Sequence, residues 1–271
     1  MTSVICLGDV GSGNEGQKKV AELIEYLIDK YDCKLILGLG NNILPQGIKS
    51  VNDKQLIDKF ETPYKNIISN PKIKFYNILG ESDYNSNNSV LSEIKYSKKN
   101  KHWVLPHNFY CFKKIINNTA VEFIGIDSNL SRMKNKKTQE QWLINTILES
   151  KSRWNILFTH HPWVNFGEKE KCNSELNDLF NKINATKKID LIISGHENNQ
   201  QHIYIANKPN MIISGVGSVS NNLPILNIYK ELKYISNNLG CCMIDFSRNC
   251  LKISFFNIKK KREYNFSIHK V

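Results

Sequence analysis

The sequence lacks any apolar run near the roughly 18 residues that a membrane-spanning helix needs. Its amino terminus, MTSVICLGD, has no basic segment followed by a cleavable apolar one. These two absences make a cytoplasmic chain without a membrane span the expectation. No cysteine pair has zinc-ribbon spacing. The seven cysteines, Cys6, Cys33, Cys111, Cys172, Cys241, Cys242 and Cys250, are odd in number and several sit inside apolar runs. They read as reduced thiols behaving as small hydrophobes. Acidic residues are scarce beside basic ones, 25 Asp and Glu against 37 Lys and Arg, a net charge of +12. The basic runs KYSKKNK (95–101), KNKK (134–137) and KKKR (259–262) lack interleaved aromatic residues. That argues against a stacking platform for nucleic acid and favours a solvated surface, with a polyanion-binding surface as the alternative. There is no linker and no repeat of fixed period, so residues 1–271 read as a single domain.

What is present is alternation. Strand-like runs occupy 3–7, 34–39, 73–79, 121–126, 154–159 and 189–194. Helical periodicity lies between several of them, at 15–31 and 138–150. Beyond about residue 200 the runs HIYIA, PNMIISG, CCMIDF, LKISFFNI and REYNFSI read as strands in hairpins. The chain is therefore α/β, with later strands pairing mostly antiparallel.

In open α/β sheets, ligands bind beyond the carboxyl ends of the strands. The polar residues met there are Asp9, Asn41, Glu81 with Ser82 and Asp83, Asp127, His160 with His161, and His196 with Glu197 and Asn198. Mixed carboxylates and imidazoles on rigid strand ends suit zinc, manganese or iron. Singly, Asp9 and Asn41 also suit turns or helix N-caps, and His160 and His161 also suit satisfied interior histidines. The repetition at one structural offset favours a shared site. A competing signal, GSGNEG (11–16), fits the glycine spacing of a dinucleotide loop. That reading requires an acid at the end of the second strand, where Gly40-Asn41 stands instead.

The blocks GDVG, GNN, GESD, THHP and GHEN, in this order, resemble those of the calcineurin-like metallophosphoesterases, and most closely the small purple, or tartrate-resistant, acid phosphatases. The similarity runs nearly end to end through YSKKNKHWVLPHNFY, FIGIDS and SGVGS. It implies a four-layer α-β-β-α sandwich of two packed mixed sheets flanked by helices. It also implies metal-ligand positions at one sheet edge. The family's first metal, an iron, would take Asp9, a bridging Asp that is Asn41 here, a Tyr that is Leu44 here, and a His that is Asn198 here. The second would take Asn41 again, Glu81 in place of an Asn, His160 and His196. The family's proton-donating His is Ser82, with Asp83 retained beside it.

An amide offers no anionic bridge between two cations, so a dinuclear centre is not expected. Glu81, His160 and His196, with Asn41 as a fourth group, are the expected holders of one divalent ion. With Ser82 replacing the acid–base His, His161 or His102 would have to supply a proton. Two functions follow: a catalytically weak or inactive binding or scaffold module with a protein partner, or a mononuclear phosphomonoesterase working through His160, His196, Glu81 and Asp9.

Overall fold

A computed structural model describes residues 3–169, 171–223 and 229–270. In chain order the elements are β1 (Ser3–Leu7), α1 (Glu15–Tyr31), β2 (Leu35–Gly38), α2 (Lys54–Leu56), α3 (Lys65–Ile68), β3 (Lys74–Asn77), α4 (Ser89–Lys99), β4 (Trp103–Val104), β5 (Tyr110–Ile116) and β6 (Thr119–Gly125). They continue as α5 (Lys136–Glu149), β7 (Trp154–Thr159), α6 (Ser174–Ala185), β8 (Leu191–Ser194), β9 (Gln200–Ile203), β10 (Asn210–Ser214), β11 (Leu232–Ser236), β12 (Gly240–Phe246), β13 (Cys250–Asn257) and β14 (Arg262–His269).

Two seven-stranded sheets result, ordered β14-β13-β12-β1-β2-β3-β4 and β11-β9-β10-β8-β7-β6-β5. Strands β1 to β4 are parallel in the first, and β6, β7, β8 and β10 in the second. The late strands add antiparallel at the edges, as their hairpin pattern predicts. This is the four-layer sandwich expected from the resemblance. No helix among the described residues is long and apolar enough to cross a membrane.

Continuous apolar runs form these strands because both faces are covered. Side chains alternate along each strand. In β7, Trp154, Ile156 and Phe158 enter the core between the sheets, whereas Leu157 joins the layer under α5 and α6 with Leu143, Ile147, Leu179 and Phe180. Strand β6 divides likewise, Val121 and Phe123 inward and Ile124 outward. On the first sheet, α1 lays Val20, Leu23, Ile24 and Leu27 into the same core as β1. Asn14 caps this helix, accepting from the Gln17 amide at 2.9 Å. Within the glycine-rich turn the Gly13 amide donates to Gln17 Oε1 at 2.7 Å, so a buried side chain occupies the donor that a dinucleotide phosphate would use.

The basic runs do not share one face. Residues 95–101 close α4 beside β4, whereas 259–262 run from the turn after β13 into the start of β14, at the opposite edge of the same seven-stranded sheet. At about 4.8 Å per strand these edges stand on the order of 30 Å apart.

Phe158 is fully buried and meets Tyr110 and Phe112 edge-on, with ring centroids at 6.0 and 6.4 Å. Phe158→Ala should cost about 3–5 kcal/mol, read as a lower urea midpoint at unchanged slope.

Candidate metal centre

The parallel strands of both sheets end at one edge, and the turns there are tightly interlocked. The Gly8 amide donates to Ser214 O at 2.7 Å and the Gly217 amide to Gly8 O at 3.1 Å, so the two sheets brace each other, and the Gly195 amide donates to His160 O at 3.1 Å within the second sheet. Asp9, Asn41, His196 and Asn198 all sit at positive φ, at 56, 55, 73 and 50°. Such backbone costs about 1–3 kcal/mol per non-glycine residue and gathers at functional sites. Gly80 is required by close approach, since a Cβ there would lie 2.3 Å from Asn41 Oδ1.

Asn41 occupies the middle. Its Oδ1 accepts from the Ser82 amide at 2.9 Å, which fixes the orientation of the side chain. Its Nδ2 therefore faces two carboxylates, donating to Asp9 Oδ1 at 2.8 Å and Glu81 Oε1 at 3.1 Å. The other Asp9 oxygen accepts from the His196 amide at 2.8 Å. Glu81 Oε2 is hydrogen-bonded to His160 Nε2 and lies 3.3 Å from His196 Nδ1 and 3.8 Å from His161 Nε2. One donor atom from each of Glu81, His160, His161 and His196 lies within 4.8 Å of the others, a group able to hold a metal ion. Asp9 and Asn41 stand directly behind it.

These contacts set the charges. Burial would push the Glu81 carboxyl up, but the charge of His160 and hydrogen bonds from His160 and His196 hold it far below the usual range. Burial would push His160 down, yet the Glu81 carboxylate, with help from Asp9 and the Leu39 carbonyl, raises it to about 9. Burial and the two neighbouring imidazoles push His161 down to about 2. Burial likewise lowers His196.

The remaining strand-end residues serve the scaffold. Ser82 enters through its backbone amide. Asp83 is fully buried and accepts from the amides of Gly80, Asn42 and Ile43, at 2.9, 3.1 and 3.2 Å. Burial raises its pKa to about 6 against those bonds, and it ties the Asn41 and Glu81 turns together. Asp127 accepts from the Asn129 amide at 3.0 Å and from the Tyr84 hydroxyl. Asn198 is buried, its Nδ2 directed at the Gly215 carbonyl at 3.5 Å, and Leu44 is half-buried. His102 precedes β4, at the amino-terminal edge of the sheet, and its Nδ1 is 2.9 Å from Ile73 O. The opposite edge carries the site, so His102 is out of reach.

The structure also brings in residues that the strand-end pattern does not single out. Lys169 Nζ lies 3.8 Å from Glu81 Oε1, Arg132 Nη1 donates to the Glu81 carbonyl at 3.2 Å, and Ser128 Oγ is 2.8 Å from His161 Nδ1. Lys169 and Arg132, with Lys171, border a cleft of about 540 Å³ that opens beside Glu81, His161 and His196. All three cations lie in the segments that follow β6 and β7, where site residues concentrate.

Residues 2–200 match the family described as calcineurin-like phosphoesterase. The chain belongs to that family. It is 25% identical over 239 residues to purple acid phosphatase 7 of Arabidopsis thaliana, covering 80% of this chain and 70% of the relative. It is 26% identical over 219 residues to human tartrate-resistant acid phosphatase type 5, covering 74% and 65%. Among solved structures, GAP50, the anchor in the inner membrane complex of Plasmodium, superposes with a TM-score of 0.87 at 22% identity, covering 100% of this chain and 89% of that one. Purple acid phosphatase PPD1 from yellow lupin superposes with a TM-score of 0.74 at 13% identity, covering 99% and 53%.

The NH2 group of Asn41 presents positive charge where two cations would need an anionic bridge, and Leu44 and Asn198 offer neither phenolate nor imidazole.

The ion pair has a pH signature in chelator-stripped protein. His160 titrates near 6.5 when unfolded and about 9 when folded, so its contribution is complete below 6.5 and is lost as pH rises through 9. Glu81 is held below its unfolded value of 4.5, so its contribution is present above 4.5 and lost on acidification. Unfolding free energy from urea titrations should decline between pH 6.5 and 9, and His160→Gln should flatten that decline. A wild-type profile already flat over this interval would count against the ion pair.

Proposed function

We propose that this chain is a purple-acid-phosphatase-like phosphoesterase fold kept as a binding module for a protein partner, with little or no phosphomonoester hydrolysis. One observation carries the reading: Asn41 donates to both Asp9 and Glu81 from the bridging position. Phosphoryl transfer needs charge stabilisation at the phosphoryl oxygens, an activated water and protonation of the leaving group. Here the second Lewis acid has no holder. The block that supplies a proton in the family carries Ser82, and Asp83 is spent on backbone amides. His161, pushed to about 2, has no proton to donate at neutral pH. Attachment is a role the fold takes elsewhere, since GAP50 is described as an anchor in the inner membrane complex of Plasmodium.

A mononuclear phosphomonoesterase is the second reading. It is favoured by the cationic border that Arg132, Lys169 and Lys171 give the cleft beside Glu81 and His196. There Lys169 and Arg132 would orient the phosphoryl group, and one divalent ion would polarise it.

An aryl phosphate assay across pH, with divalent metal added, separates the two. The binding-module reading expects kcat/KM at least about 10³-fold below that of a purple acid phosphatase run alongside, given the lost metal and lost proton donor. Turnover near that of the reference enzyme, abolished by His196→Ala, would overturn it.

A further inference from the structure

We infer that Glu81, His160, His161 and His196 form a closed, four-coordinate site for a single zinc-type ion, with His161 as a ligand. This goes beyond the binding-module reading and does not rest on it, because it concerns coordination and not turnover. In the family's pattern the residue after the first histidine of the THHP block is not a ligand position. In this chain it supplies the donor that Asn41 cannot.

The spacing fits one small ion. Tetrahedral zinc with bonds of about 2.0–2.1 Å sets its donor atoms about 3.3 Å apart. His160 Nε2 and His196 Nδ1 are 3.3 Å apart, Glu81 Oε2 and His196 Nδ1 are 3.3 Å apart, and Glu81 Oε2 and His161 Nε2 are 3.8 Å apart. The Glu81–His160 pair is closer, at hydrogen-bond contact, and opens when a cation replaces the shared proton.

The outer hydrogen bonds aim the donors. Ligating histidines usually engage their other ring nitrogen with a carbonyl, carboxylate or water. His160 Nδ1 is 2.6 Å from the Leu39 carbonyl, and His161 Nδ1 is 2.8 Å from Ser128 Oγ. Each contact leaves Nε2 toward the cluster. Asn41 and Lys169 engage Glu81 Oε1, leaving Oε2 as the single inward oxygen. The side chains of His161 and His196 are 24% and 12% exposed toward the cleft, which gives an ion its way in. Catalytic zinc keeps one position for water beside three protein ligands, whereas four protein ligands leave none. Closure therefore makes the ion a tie between three strand ends, those of β3, β7 and β8.

The test uses the whole chain loaded with cobalt(II) or zinc(II). One ion per chain is expected, with the intense visible bands of tetrahedral cobalt and three imidazoles in the zinc X-ray absorption spectrum. His161→Gln should lower zinc affinity by about 100-fold or more, beyond the loss expected from an outer hydrogen bond, and Ser128→Ala by about 10-fold. His269→Gln, at an exposed histidine on the edge strand, should change neither. Circular dichroism on the chelated variants checks that they fold, and the wild-type absorption spectrum needs no variant. Two ions per chain, no bound ion, two imidazoles in the spectrum, or an unchanged affinity in folded His161→Gln would each overturn the site. Aryl phosphate turnover in the same zinc-loaded sample judges the binding-module reading separately.

Discussion

Two carboxylates, Asp9 and Glu81, share the NH2 group of one amide, and the rest of the centre is arranged around that contact. Buried carboxylates close to one another must be neutralised, protonated or hydrogen-bonded. In a dinuclear phosphoesterase cations meet that demand. Here a neutral side chain meets part of it and the imidazole of His160 meets the rest. The Asn41 orientation is set by the Ser82 amide, so the Glu81 turn both supplies the carboxylate and aims the group that holds it.

The neighbouring structure exists to keep these turns in place. Asp83 takes three backbone amides from the Asn41 and Glu81 turns, and gains those bonds at the cost of full burial. Gly80 leaves room for the amide oxygen. The two sheets are cross-bonded where their strands end, through Gly8 with Ser214 and with Gly217. Four residues in left-handed backbone mark this edge as the strained part of the fold. The charge pattern has a consequence for binding. An anion entering the cleft meets Lys169, Arg132 and Lys171 at the border beside Glu81, so the border attracts negative charge toward the centre.

Much of this was legible in the residues themselves. The parallel strands announce themselves as apolar runs because both their faces are buried, and a polar residue repeats beyond each. The helix at 15–31 shows its stripe plainly. Strand β5 is harder to read, because Lys113 and Lys114 break YCFKKII where one face meets solvent. Helix α4 hides for the opposite reason: beside Tyr96 its buried residues Ser89, Ser92 and Glu93 are polar. At the site, the substitutions at 41, 44 and 198 stand out once the blocks are aligned. The direction of the Asn41 amide does not, since it depends on a backbone amide 41 residues away in sequence. Neither does the convergence of His160 and His161. Adjacent residues in a strand point to opposite faces, but β7 ends at Thr159 and the bend that follows turns both rings to one point.

The central claim is that the Asn41 amide substitutes for bridging cations. It is tested most directly by the unfolding free energy of Asn41→Asp in excess chelator. The change would exchange two donated hydrogen bonds for a third carboxylate among Asp9 and Glu81. The account predicts a loss of about 3 kcal/mol or more relative to wild type, recovered when divalent metal is added back. An Asn41→Asp protein as stable as wild type in chelator would contradict it.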